Sequence, residues 1–164
     1  MFEQAGIFAG FSGGKQKPIE VYGVKRRKPY ESEMKYFKDN PNVSGMAAED
    51  DHVILNPYSK LSEEQQGVVI KNESARVKIR QNPKLKPTFK LTKEQHEQFK
   101  GYSKKMQDIQ DTIAARIISG DPSAGVTTKE QQAYVKRFND YLESEKKAQN
   151  NRDRIGGMWT NGNR

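Results

Sequence analysis

Ser62-Glu63-Glu64-Gln65-Gln66-Gly67-Val68-Val69-Ile70-Lys71-Asn72-Glu73-Ser74-Ala75-Arg76-Val77-Lys78-Ile79-Arg80-Gln81 is the stretch from which the rest of the chain can be organised. It opens with a hydroxyl residue three positions before a glutamine. That hydroxyl can accept from a free backbone N–H of the first helical turn, while the glutamine reaches back to the N–H of the cap. The spacing predicts a helix to about Gln81, with Val68, Val69, Ala75 and Ile79 on one side. Pro83 and Pro87 then enforce an extended link in which Leu85 and Phe89 pack.

The same device recurs at Thr92-x-x-Gln95 and Thr128-x-x-Gln131, which predicts two more helix starts. The helix after Thr92 turns Phe99 and Tyr102 inward and breaks near Gly101. It resumes through Met106–Ser119, with Ile109, Ile113, Ile117 and Ile118 at helical spacing and Gly120 as the stop. The helix after Thr128 carries Tyr134, Val135, Phe138, Tyr141 and Leu142 on one face. Upstream, Glu31–Asp39 reads as a first helix ended before Pro41, with Met34, Phe37 and Tyr36 inward. A loop containing Gly45 follows, then His52-Val53-Ile54-Leu55, short and β-branched, as a strand or buried extended segment. The expected fold is mainly α: a small helical domain of about four to five helices, at most one short strand pair, and extended arms at both ends.

Composition sets the limits of the folded part. Of 164 residues, 33% are hydrophobic and 30% charged, against roughly 45–50% apolar usage in globular chains. The apolar residues gather between positions 34 and 142, so the expected domain is 31–145. Residues 1–30 read as an extended arm, broken by glycines and prolines but carrying the anchors Phe2, Ile7, Phe8 and Phe11. Within it, Val21-Tyr22-Gly23-Val24 is a run suited to adding a strand to a partner's sheet edge. Residues 146–164 read as a flexible polar tail with an apolar anchor at Met158 and Trp159.

The chain has no cysteine, which removes disulfides, thiolate metal sites and cysteine nucleophiles together. No stretch approaches the roughly 20 apolar residues that span a bilayer, and the N-terminal segment does not read as a signal peptide. A net charge of +8 favours anionic partners. The densest basic run, Lys25-Arg26-Arg27-Lys28, is a candidate partner-binding patch. Residues 71–93 add Arg76, Lys78, Arg80, Lys84 and Lys86 as candidate phosphate contacts, although the charge wraps around the helix instead of forming one stripe. No module for reading bases is present.

Catalytic chemistry finds no footing. His52 and His96 lie in different elements without a metal-like pairing. The acidic run Glu49-Asp50-Asp51 reads as a solvated loop or as acids favoured at a helix N-terminus by the dipole. Asn72-Glu73-Ser74-Ala75-Arg76 stands where a zinc peptidase helix would carry His-Glu-x-x-His, but Asn72 and Arg76 do not replace imidazole ligands. Those residues read instead as a polar network around a loop. Gly10-Phe11-Ser12-Gly13-Gly14-Lys15 fails the Walker spacing, and Gln16 supplies no hydroxyl for magnesium. No catalytic residues, metal or cofactor are expected.

The phrases Lys25-Arg26-Arg27-Lys28-Pro29-Tyr30-Glu31-Ser32-Glu33-Met34-Lys35-Tyr36-Phe37, Gly45-Met46-Ala47-Ala48-Glu49-Asp50, Ile54-Leu55-Asn56-Pro57-Tyr58, Asn72-Glu73-Ser74-Ala75-Arg76-Val77 and Thr112-Ile113-Ala114-Ala115-Arg116-Ile117-Ile118-Ser119-Gly120-Asp121-Pro122 resemble a family of small tailed-bacteriophage proteins. The likeness covers about residues 25–138. It implies no activity. It implies a context: a protein made in host cytoplasm and built into the virion. The expectation is a structural component of the tail or head–tail junction, present in multiple copies in a symmetric assembly. It would bind portal, adaptor or tail proteins through its arms, with no membrane partner. A nucleic-acid-binding accessory protein and an early regulator of a host factor are the alternatives.

Overall fold

The computed structural model describes residues 20–98, 100–101, 103–120 and 126–162. The chain divides into two units, Met1–Val126 and Thr127–Arg164.

The described part of the first unit opens with an antiparallel hairpin of β1 (Glu20–Val21) and β2 (Val24–Lys25). Its turn residues, Tyr22 and Gly23, both have positive φ, 55° and 78°. A two-residue turn of that hand matches the twist of paired strands. The run expected to add to a partner's sheet edge therefore closes on itself. Val24 is buried against Val53 and Val77, and the Arg27 N–H donates to the Val53 carbonyl at 3.1 Å. Residues 20–30 thus belong to the folded unit and not to an arm, because the hairpin supplies its own hydrogen bonds and one buried valine.

The helix α1 (Glu31–Asp39) has the expected bounds. Phe37 is fully buried, whereas Tyr36 is 45% exposed, so only one of the two aromatics turns inward. Next come β3 (Gly45–Ala47) and β4 (Val53–Leu55), antiparallel with Met46 opposite Ile54 and Ala47 opposite Val53. Alternation along a strand then assigns the two faces. Ala47 and Val53 join Val24 and Val77 on one face. Met46 and Ile54 join Phe37, Val43 and Ala48 on the other. This ribbon is the second strand pair among the described residues, where at most one was expected. Gly45, expected in a loop, begins β3 at a close approach: a Cβ there would lie 2.9 Å from Val69 Cγ1 and 2.8 Å from the Ile54 carbonyl oxygen.

Helix α2 (Glu63–Gln81) starts as its sequence dictates. Gln65 N–H donates to Ser62 Oγ at 3.1 Å and Ser62 N–H to Gln65 Oε1 at 2.9 Å. Its buried residues include Gln66, Ile70, Ser74, Ala75, Val77 and Ile79, while Val68 is 42% exposed. The simple one-sided stripe is wrong at Val68 because α2 packs against both the strands and α4 (Ser103–Ile118). Helices so placed bury more than one face.

Pro83–Leu85 forms a 3-10 turn, and Leu85 and Phe89 are buried as expected. The Gln110 amide of α4 then pairs with the Phe89 backbone like a neighbouring strand, accepting from its N–H at 2.8 Å and donating to its carbonyl at 2.9 Å. The Thr92–Gln95 cap opens α3 (Lys93–Gln98), with Gln95 N–H to Thr92 Oγ1 at 3.2 Å. The break falls around Gly101, at φ 81°, and α4 starts at Ser103, three residues before Met106. Ile113 and Ile117 are buried, Ile109 and Ile118 half-buried. Gly120, at φ 85°, ends the helix. Phe99 and Tyr102 lie outside the described residues.

The second unit contains one helix, α5 (Thr128–Gly162), of 35 residues. Its cap is Thr127, one residue earlier than expected. Glu130 N–H donates to Thr127 Oγ1 at 3.2 Å, and Thr127 N–H to a Glu130 carboxylate oxygen at 3.3 Å. Two adjacent threonines followed by Glu130 and Gln131 offer either register, and the carboxylate at the third position prevails. Residues 146–162, expected as a flexible tail, continue this helix. Pairs one turn apart sustain it, including Glu143–Lys147 at 3.3 Å and Gln149–Asp153 at 2.8 Å. Asparagine and glycine content suggested a tail, but Lys, Ala, Gln and Arg are good helix formers.

Candidate functional site: a charged cleft between two helices

Within the first unit, α2 and α4 flank a cleft of about 500 Å³ on the outer side of β3. From α2 come Glu73, Arg76 and Arg80, spaced three and four residues apart and so on one side of the helix. From α4 come Lys104, Gln107, Asp108 and Asp111, and Lys86 completes the wall. Four cations therefore meet three carboxylates.

Glu73 is the most enclosed of the acids, its side chain 15% exposed. Burial raises its pKa above the usual glutamate range, opposed by nearby Arg76 and by the N–H of Ala47, which donates to it. Arg76 Nε lies 3.7 Å from Glu73 Oε2 and donates to Asn72 Oδ1 at 3.3 Å. Its Nη2 donates to Thr112 Oγ1 on α4 at 2.9 Å. The polar network expected around a loop is present, but it joins two helices and a strand. Lys86 faces Asp111 at 3.4 Å, and Gln107 donates to the same carboxylate at 2.7 Å.

A second polar cluster holds the turn between β3 and β4. Arg80 Nη2 donates to the Ala48 carbonyl at 2.7 Å and to Asp51 Oδ1 at 2.6 Å, and Gln81 donates to Asp51 Oδ2 at 3.0 Å. From the hairpin side, Arg27 Nε donates to Asp50 Oδ2 at 2.8 Å. The acidic run read as a solvated loop is thus the acceptor for two arginines. Its signal in the sequence was faint, because the partners lie 23 and 29 positions away. Buried Asn56 was also missed. Its Nδ2 donates to the Val43 carbonyl at 2.6 Å, and its Oδ1 accepts from Tyr58 N–H at 2.8 Å.

The structure divides the candidate phosphate contacts. Arg76, Arg80 and Lys86 line the cleft; Lys84 is exposed in the 3-10 turn; Lys78 is buried, reaching toward the Tyr22–Gly23 turn. The basic run divides too. Lys25 and Lys28 are exposed, Arg26 is half-buried, and Arg27 is committed to Glu33 and Asp50. Phe2, Ile7, Phe8 and Phe11 lie outside the described residues, as do the side chains of Met158 and Trp159. Among the described residues no group of three or more histidines and acids is placed to hold a metal ion, and no helix is long and apolar enough to cross a membrane. Comparison of the chain with protein-family models, curated proteins and solved structures finds no match.

Proposed function

We propose that this chain is a non-enzymatic structural component of a tailed-bacteriophage virion, at the tail or head–tail junction, that binds neighbouring virion proteins through its ends. One observation carries the reading: residues 146–157 are twelve consecutive helical positions, all exposed. A stretch of about 18 Å of helix whose positions are all exposed suits an element that gains further packing from a neighbour. Most helical stability in proteins comes from such packing and little from propensity. The apolar anchors Phe2, Ile7, Phe8 and Phe11, with exposed Lys25 and Lys28, would serve the other end. The nucleic-acid reading has weaker support, because Arg76, Arg80 and Lys86 each already face a carboxylate.

Mass spectrometry of purified, nuclease-treated particles tests the proposal. The expected result is this chain at a fixed ratio to the portal protein. Abundance in infected cells with absence from particles would overturn it in favour of a regulatory role.

A further inference from the structure

The outer edge of β3 opens into the charged cleft at one position. Ala48 N–H donates to the His52 carbonyl at 2.8 Å, and Asn56 N–H donates to the Ser44 carbonyl at 3.0 Å. Opposed residues of an antiparallel ribbon alternate between bonded and non-bonded pairs. In this register Met46 therefore bonds to β4, while Gly45 and Ala47 turn their N–H and C=O groups outward. At Ala47 the edge is closed by α2: Glu73 accepts from the N–H, and the carbonyl lies 3.5 Å from Arg80 Nη1. At Gly45 neither backbone group has a partner among the described residues, and Gly45 lines the cleft. Side chains that blunt an edge strand remove a template for another strand. Here the blunting stops one position short. The cleft walls add spare donors beside that position. Arg76 commits Nε to Asn72 and Nη2 to Thr112, which leaves Nη1 uncommitted. Lys104 on α4 is exposed and pairs with no acid among the described residues. Of the cleft's carboxylates, Glu73 and Asp111 are engaged and only Asp108 is free.

We infer that the cleft is a docking groove for an extended peptide of a partner protein, which adds to β3 at Gly45 and brings an acidic side chain to Arg76 and Lys104. An N–H and a C=O facing outward from one residue match the backbone of an incoming strand, and wall pockets then select its side chains. A residue laid opposite Gly45 shares its sheet face. That face is the one α2 covers, since a Cβ on Gly45 would lie 2.9 Å from Val69 Cγ1. The incoming side chain is therefore directed to the helix that carries Arg76. A cleft of about 500 Å³ has room for a few residues, and one open edge position offers two backbone bonds, so the association is expected to be weak and reversible. It does not depend on the virion reading.

The test is an NMR titration of the full, nitrogen-15-labelled chain with a capped seven-residue peptide of alternating threonine and valine around one central glutamate. The Gly45 amide signal should move and saturate as peptide is added. Replacing the central glutamate by lysine should weaken binding several-fold. Methylating the glutamate's backbone nitrogen, which removes its donor to the Gly45 carbonyl, should abolish the shift. Lys104→Gln, at an exposed position without a partner among the described residues, should narrow the difference between the glutamate and lysine peptides. Arg76→Gln should narrow it further. A Gly45 amide unmoved at millimolar peptide, equal binding of the methylated peptide, or equal binding of the glutamate and lysine peptides would each overturn the inference. Inorganic phosphate that moves signals at Arg76 and Lys104, where the peptide leaves Gly45 unmoved, would also overturn it and leave an anion site in its place.

Discussion

Arg27 and Glu33 form a two-pronged ion pair, Nη1 to Oε1 at 2.7 Å and Nη2 to Oε2 at 2.9 Å. The same guanidinium lies 3.7 Å from the centre of the Tyr30 ring and holds Asp50 through Nε. One side chain thus ties the hairpin's exit, the first turn of α1 and the β3–β4 turn together. A lysine ammonium cannot reproduce the planar fork. Arg27→Lys should therefore destabilise the protein by about 1–2 kcal/mol, read as a lower urea midpoint with an unchanged slope.

Acid should weaken the same region. Hydrogen bonds from Arg27 hold the carboxyls of Glu33 and Asp50 below their ordinary range, and hydrogen bonds from Gln81 and Arg80 do so for Asp51. Carboxylates with depressed folded pKa values contribute stability that is present above their unfolded values. It is lost as pH falls through about 4 and below. Urea midpoints should drop between pH 6 and pH 3. The drop should be smaller in Arg27→Ala, which has already lost the Glu33 and Asp50 interactions, though not those of Asp51.

Glu73 has the opposite sign. Burial raises its pKa, so its ionised form costs the folded state stability at neutral pH, and acidification relieves that cost. Glu73→Gln keeps an acceptor for the Ala47 N–H without the buried charge. It should be at least as stable as the parent at pH 7. Glu73→Leu leaves that N–H without its acceptor and should cost about 1–3 kcal/mol. Thermal melting of the two variants side by side separates hydrogen bonding from charge.

The register of the α5 cap is testable by alanine. Thr127→Ala removes the hydroxyl that accepts from Glu130 N–H and should cost about 1 kcal/mol. Thr128→Ala should be near neutral, since Thr128 is the first helical residue. Equal effects on thermal stability would argue against the capping geometry described.

Helix existence was legible wherever a local rule decided it. Ser62 with Gln65, Thr92 with Gln95, Pro41 after α1 and Gly120 after α4 act within one turn of their own positions, and the structure keeps all four. The α5 cap slipped by one residue because two threonines satisfy the same rule. Of the candidate site, Asn72, Glu73 and Arg76 were readable as a network because they lie a turn apart. Thr112 and the Ala47 N–H were not, because only folding brings them there.

What the sequence by itself determined was the set of short-range choices: which segments are helical, where most of them start and stop, and that no residue can do thiol chemistry. These follow from hydrogen bonds closed within three or four residues. Only the tertiary structure decided that Gly45 begins a strand pressed against Val69, that Val24 is core, and that Asp50 and Asp51 receive arginines from both sides. Each depends on partners more than twenty residues away, and nothing in local spacing encodes which distant group fills a given contact.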